Sequence, residues 1–199
     1  MSTKKHMSDK FHNIYRISTT RLPNWDYSAN GYYFITICTK DRKEFFGEIV
    51  KIKMCLSEIG EIAHKYWLEI PNYFPFVKLN EFVIMPNHVH GILIIKNVDN
   101  CKFRNVCKNV RRDVINHVST DKNLYSKITP MNKHSLGEII RWFKGRTTFE
   151  IKKMKVNFFW QSRFYDHIIR NEKEFYRIKQ YVKYNPMNWK EDKNNMGEF

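Results

Sequence analysis

Phe82-Val83-Ile84-Met85-Pro86-Asn87-His88-Val89-His90-Gly91-Ile92-Leu93-Ile94-Ile95 reads as two apolar strand segments joined by a Pro-Asn turn signal. Successive strand side chains alternate between faces. His88 and His90 therefore share one face, while Val89 points to the other and can enter a core. Two neutral imidazoles on one face are half of a metal site. His-x-His pairs also sit on solvated faces and bind nothing, so a further ligand is required.

Working outward, residues 32–39 are β-branched and aromatic, with Tyr33, Ile35 and Ile37 alternating against Phe34, Thr36 and Cys38. Both faces are largely apolar, as in a central strand. A charged turn at 40–43 precedes a second, shorter strand within 44–53. Ser57 can cap a helix whose apolar positions Ile59, Ile62, Ala63, Tyr66 and Ile70 follow i, i+3, i+4 spacing. That helix ends before Pro71, residues 71–78 form a loop, and strands follow over 79–85 and 88–96. Ser135-Leu136-Gly137-Glu138 matches a capping box. The helix it opens runs to about residue 153, with Leu136, Ile139, Ile140, Phe143 and Phe149 as a buried stripe and Arg141, Lys144, Arg146, Lys152 and Lys153 around it. Residues 160–170 read as a turn anchored by Trp160, Phe164 and Ile168, leaving Arg163, His167 and Arg170 exposed. Asn171 and Glu174 cap a last helix with an apolar seam of Phe175, Ile178 and Val182, which Pro186 ends.

The 199 residues fit one decorated domain over 25–190. It is flanked by a basic flexible arm at 1–24 and a polar tail at 191–199, and interrupted by a basic insertion at about 97–133. Lys and Arg total 35 against 20 Asp and Glu, a net charge of +15. This exceeds what solubility asks for and makes polyanions the expected partners. No run approaches the roughly 18 apolar residues of a spanning helix, and residues 1–21 lack the apolar stretch of a secretory signal. The expectation is a cytoplasmic protein that acts on nucleic acid, not on membranes. Cys38, Cys55, Cys101 and Cys107 form no Cys-x-x-Cys pair, which argues against zinc fingers and a disulfide framework. Gly-rich phosphate loops are missing, so no nucleotide cofactor is expected.

On the last helix, Tyr181 and Asn185 stand four residues apart, on one face and one turn from each other. Tyr176 has Gln180 four residues on and Tyr184 has Asn188, so these two tyrosines are competing candidates on the same helix. If this helix crosses the sheet face that carries His88 and His90, Asn185 can complete a two-nitrogen, one-oxygen metal site with the Tyr181 phenol beside it. Taken singly, Tyr181 is as well explained as a half-buried aromatic and Asn185 as a helix end.

Four segments together carry a resemblance. They are residues 82–91, Ser135-Leu136-Gly137-Glu138-Ile139-Ile140-Arg141-Trp142-Phe143-Lys144, Trp160-Gln161-Ser162-Arg163-Phe164-Tyr165-Asp166-His167-Ile168-Ile169-Arg170-Asn171, and Tyr181-Val182-Lys183-Tyr184-Asn185-Pro186. In order and spacing the chain resembles REP-associated tyrosine transposases, the single-tyrosine branch of the HUH nucleases, related to insertion-sequence transposases that act on single-stranded DNA. With the 32–39 strand, these segments make up about a quarter of the chain and are spread over most of its length. The resemblance implies an α+β fold of the ferredoxin-like, RRM-like HUH type, an antiparallel sheet flanked by helices with the histidines on a central strand. It also implies His88, His90 and Asn185 as ligands of Mg²⁺ or Mn²⁺ and Tyr181 as nucleophile. Arg163, His167, Arg170, Lys144 and Arg141 are the candidate contacts to single-stranded or hairpin DNA.

The implied chemistry is attack of the Tyr181 phenol on a phosphodiester, leaving a 5′-phosphotyrosine that a second DNA hydroxyl can reverse. A phenol of reference pKa near 10 needs a proton acceptor. His167, Lys183 and water held by the ion are the candidates. The alternative function is a non-catalytic single-strand-binding module of the same shape. A replication initiator or relaxase fits less well, since neither paired tyrosines nor a third histidine is matched. Related enzymes include monomers and tyrosine-helix-exchanging dimers, so both assemblies stay open.

Overall fold

The computed structural model describes residues 22, 25–96 and 134–195, and the backbone of two short strands, β1 (Lys10–Phe11) and β2 (Ile14–Tyr15). These two strands pair antiparallel within the stretch expected to be a featureless arm. The basic insertion at 97–133 lies outside the described residues.

The central sheet is built from β3 (Gly31–Cys38), β6 (Val77–Met85), β7 (His88–Ile95) and β8 (Tyr165–Ile169). Its strand order is β6-β7-β3-β8, antiparallel throughout. Helix α1 (Glu58–Leu68) connects β3 to β6 in sequence, and α3 (Leu136–Lys153) lies between β7 and β8. This βαββαβ order is the ferredoxin-like arrangement, and β7, which carries both histidines, is an inner strand as expected. The turn at Pro86-Asn87 sets Met85 opposite His88.

Alternation divides the sheet into two faces. Tyr33, Ile35 and Ile37 of β3, with Val89 and Leu93 of β7, join one core with Ala63, Trp67, Ile139, Ile140 and Phe143 of α1 and α3. Gly91 lies on this face. A Cβ there would sit 2.2 Å from Trp67 Cζ2, so the glycine is what lets the indole lie against the strand. On the other face, Phe34, Ile92 and Ile169 meet Ile178 and Val182 of α4 (Glu172–Tyr184), which crosses β6 and β7.

The helix starts follow the capping signals. Ser57 Oγ accepts from Gly60 N, Ser135 Oγ from Glu138 N, and Asn171 Oδ1 from Glu174 N. Each cap of this kind contributes about 1 kcal/mol. In the box at Ser135, Glu138 takes the amide of His134, one residue earlier than the reciprocal pattern requires.

Four local expectations are corrected. The strand within 44–53 is a hairpin, β4 (Gly47–Val50) with β5 (Lys53–Leu56), turned through Lys51 and Ile52 at positive φ. Pro71 does not open a loop but enters a short helix, α2 (Ile70–Tyr73), at its first turn, where its missing N–H costs nothing. Part of the stretch read as a turn at 160–170 is the edge strand β8, whose pairing with β3 overrides a sequence broken by Asp166 and His167. Finally, of the polar tail expected at 191–199, the described residues 191–195 fold back onto the domain. A 3-10 turn at Trp189–Glu191 returns the chain to the sheet, where Asn194 is buried.

Candidate active site

The site lies on the α4 face of β7. His88 and His90 are 0% and 1% exposed, and each ring is oriented through Nδ1. Asn87 donates from Nδ2 to the Arg42 and Asn194 carbonyls at 3.1 and 2.9 Å. Its Oδ1 is therefore the atom facing His88 Nδ1 at 2.8 Å, which puts the proton on Nδ1 and leaves Nε2 a bare acceptor. That Nε2 is buried and makes no hydrogen bond. His90 Nδ1 lies 2.8 Å from Oγ1 of Thr36, its direct cross-strand partner. The two rings stand 4.3 Å apart at their centroids, and the Trp189 ring lies 5.9 Å from that of His88.

Helix α4 brings Tyr181 and Asn185 onto this face. The Tyr181 hydroxyl is 3.2 Å from His90 Nε2 and donates toward Asp192 Oδ2 at 3.3 Å, so one proton faces two acceptors. Asn185, 1% exposed, donates from Nδ2 to Asp192 Oδ2 at 2.7 Å, and its Oδ1 is buried without a partner. Donor atoms of His88, His90 and Asp192 lie within 4.8 Å of one another.

Burial keeps the two imidazoles of the site uncharged. Burial holds both imidazoles below their ordinary value, His90 to about 4 against the opposing pull of the Asp192 charge. Both rings are therefore unprotonated, the form that binds metal. Burial, then the charge and hydrogen bond of Asp192, push the Tyr181 phenol above its ordinary value. The imidazole nitrogens His88 Nε2 and His90 Nε2 with Asn185 Oδ1, of which His88 Nε2 and Asn185 Oδ1 are buried without a partner, suit a divalent cation with mixed nitrogen and oxygen ligands.

Beside the tyrosine runs an open groove of about 1030 Å³, floored by Phe34, Thr36 and Cys38 and walled by residues 161–165, Arg177 and Tyr181. Arg163 and His167 line it. His167 Nε2 is engaged by Glu174 at 2.8 Å, and Lys183 lies over the Tyr184 ring, so neither is bonded to the Tyr181 phenol. Arg170 is exposed at the end of β8, outside the groove lining. Arg141 and Lys144 belong to α3, against the opposite face of the sheet. Lys144 donates to the Gln161 carbonyl at 2.5 Å, which holds one wall of the groove from behind, and burial lowers its pKa to about 8. His88, His90, Tyr181 and Asn185, singled out by their spacing, lie together here, and Asp192, Thr36 and Asn87, which the spacing did not single out, lie beside them.

No family model matches the chain. An "Uncharacterized protein" of Haemophilus influenzae is 35% identical over 181 residues, 90% of this chain and 93% of that protein. A second protein of the same organism, named "Putative REP-associated tyrosine transposase", is 24% identical over 81% of this chain and 73% of its own length. A REP-associated tyrosine transposase solved bound to a REP hairpin has the same fold, with a TM-score of 0.54 at 17% identity, covering 87% of this chain and 74% of that one. Among the described residues no helix is long and apolar enough to cross a membrane.

Proposed function

We propose that this chain, similar to the protein named "Putative REP-associated tyrosine transposase" and sharing the fold of a solved REP-associated tyrosine transposase, is a tyrosine transposase of that kind and cuts and rejoins single-stranded DNA through Tyr181. The observation that carries this reading is the Tyr181 hydroxyl 3.2 Å from Nε2 of a buried histidine pair. A metal-free binding module has no use for that arrangement.

His88, His90 and Asn185 would hold a divalent ion, which would polarise the scissile phosphate and offset charge growing on its oxygens. The groove leads a strand past the nucleophile, with Arg163 and His167 at the strand and Arg170 at a flanking phosphate, while Arg141 and Lys144, on the opposite face of the sheet, are not within reach of it. The Tyr181 oxygen attacks phosphorus, a bond to a 3′-oxygen breaks, and the enzyme is left joined to a 5′-phosphate. The phenol's proton leaves toward Asp192 Oδ2, the carboxylate oxygen within reach. A DNA hydroxyl attacking the phosphotyrosine then restores a diester and the phenol.

The test incubates the protein with end-labelled hairpin or repeat DNA and Mg²⁺ or Mn²⁺, followed by a denaturing gel. A covalent adduct is expected that disappears in Tyr181→Phe while DNA binding persists. An adduct retained in Tyr181→Phe would reject the nucleophile. Salt-sensitive binding without an adduct, on DNA containing the correct site, would favour the non-catalytic binding module.

A further inference from the structure

Asp192 lies beyond the helix that carries the nucleophile, yet its carboxylate occupies the centre of the site. Its Oδ2 accepts from Asn185 Nδ2 at 2.7 Å and from the Tyr181 hydroxyl at 3.3 Å, and its Oδ1 accepts from Asn194 N at 2.6 Å. We infer that Asp192 is the anionic ligand of the metal site and that Asn185 holds that carboxylate in place through its amide nitrogen. The inference rests on the functional reading above and deepens it.

Three observations carry it. First, donor atoms of His88, His90 and Asp192 all lie within 4.8 Å of one another. Ligand atoms about 2.1 Å from one octahedral ion stand about 3.0 Å apart when adjacent and about 4.2 Å when opposite, so side-chain movements of about an ångström would close the set. Second, His88 Nε2 is buried with its lone pair unused, which is costly unless something binds there.

Third, charge requires it. Two neutral imidazoles, an amide and a protonated phenol bring no negative charge, and Lys193 and Arg42 lie close enough to oppose a cation at His90. A buried divalent cation without an anionic ligand would be strongly disfavoured.

The segment is also built into the site and does not merely rest on it. The Arg42 guanidinium binds Asn194 Oδ1, and Asn87 binds the Asn194 carbonyl with one side of its amide while fixing the His88 tautomer with the other. One residue thus ties a ligand's orientation to the docking of the chain that delivers Asp192.

The test is a Mn²⁺ titration of the DNA-free, full-length protein, following free Mn²⁺ by electron paramagnetic resonance, in wild type, Asp192→Asn, Asp192→Ala, Asn185→Ala and His90→Ala. Asp192→Asn keeps the shape and the acceptor for Asn185, so a folding defect is not expected to confound it, and far-ultraviolet circular dichroism checks this. Both Asp192 variants should weaken Mn²⁺ binding by about tenfold or more, and Asn185→Ala should weaken it less than Asp192→Ala. Asp192 variants that bind like wild type while His90→Ala fails would overturn the inference and leave the histidine site standing. Wild-type protein that binds no Mn²⁺ would remove both.

Discussion

The two faces of one sheet are built for opposite purposes, and strand β7 supplies both. On the α1 and α3 face, Val89, Gly91 and Leu93 meet a core in which Trp67 is wholly buried and stands edge-on to Phe143 at 5.2 Å. On the α4 face, the alternate residues His88, His90 and Ile92 meet a smaller apolar cluster and a polar network in which His88 Nε2, Asn185 Oδ1 and Asn194 Nδ2 are buried without a hydrogen-bond partner. Unpaired buried polar groups are destabilising, and close-packed aromatic surface is the main favourable term. The α1 and α3 face therefore holds the fold against the cost of a site that is satisfied only when it binds something.

The largest expected effect falls on chemistry alone. His88→Ala combined with His90→Ala should abolish metal-dependent DNA cleavage while far-ultraviolet circular dichroism stays that of the wild type, because neither ring belongs to the main core. Unfolding of that variant, or undiminished cleavage by it, would break the division between the faces.

Gly91→Ala probes the other side of the same strand. Its Cβ would collide with the Trp67 ring, and overpacking of this kind costs about 1–3 kcal/mol. Chemical denaturation should show that loss, with Mn²⁺ affinity of the folded fraction preserved.

The last effect is one of pH. His90 is held at about 4, and His88 is also depressed, against an ordinary 6.5. Below pH 6.5 the unfolded chain binds protons at these positions that the native state does not. The stability involved is complete above 6.5 and is lost as pH falls toward about 4. Melting temperatures of chelator-treated protein should drop across that window, and the double alanine variant should drop less.

Sequence reasoning reached the site where the signal was periodic. Two-residue alternation set the histidines on one face, four-residue helical spacing set Tyr181 above Asn185, and side-chain caps marked three helix starts. It failed where position depends on tertiary pairing. Strand β8 holds Asp166 and His167 inside a short run and becomes a strand because β3 offers it an edge. Asp192 sits in a polar stretch without period, and only the docking of Asn194 against Asn87 and Arg42 makes it part of the site. Asn87 itself carried a turn signal, and its second duty, orienting His88, has no pattern that a linear reading could detect.

The protein contains five tryptophans, and two of them divide between the faces in a way that gives the molecule an optical handle. The Trp189 ring lies 5.9 Å from His88, whereas Trp67 is packed behind the sheet against Gly91. A paramagnetic ion held at the histidines would dim the emission of the first and leave the second bright. Occupancy of the centre can therefore be followed by light in the unlabelled chain, with an internal reference on the far side of the same strand.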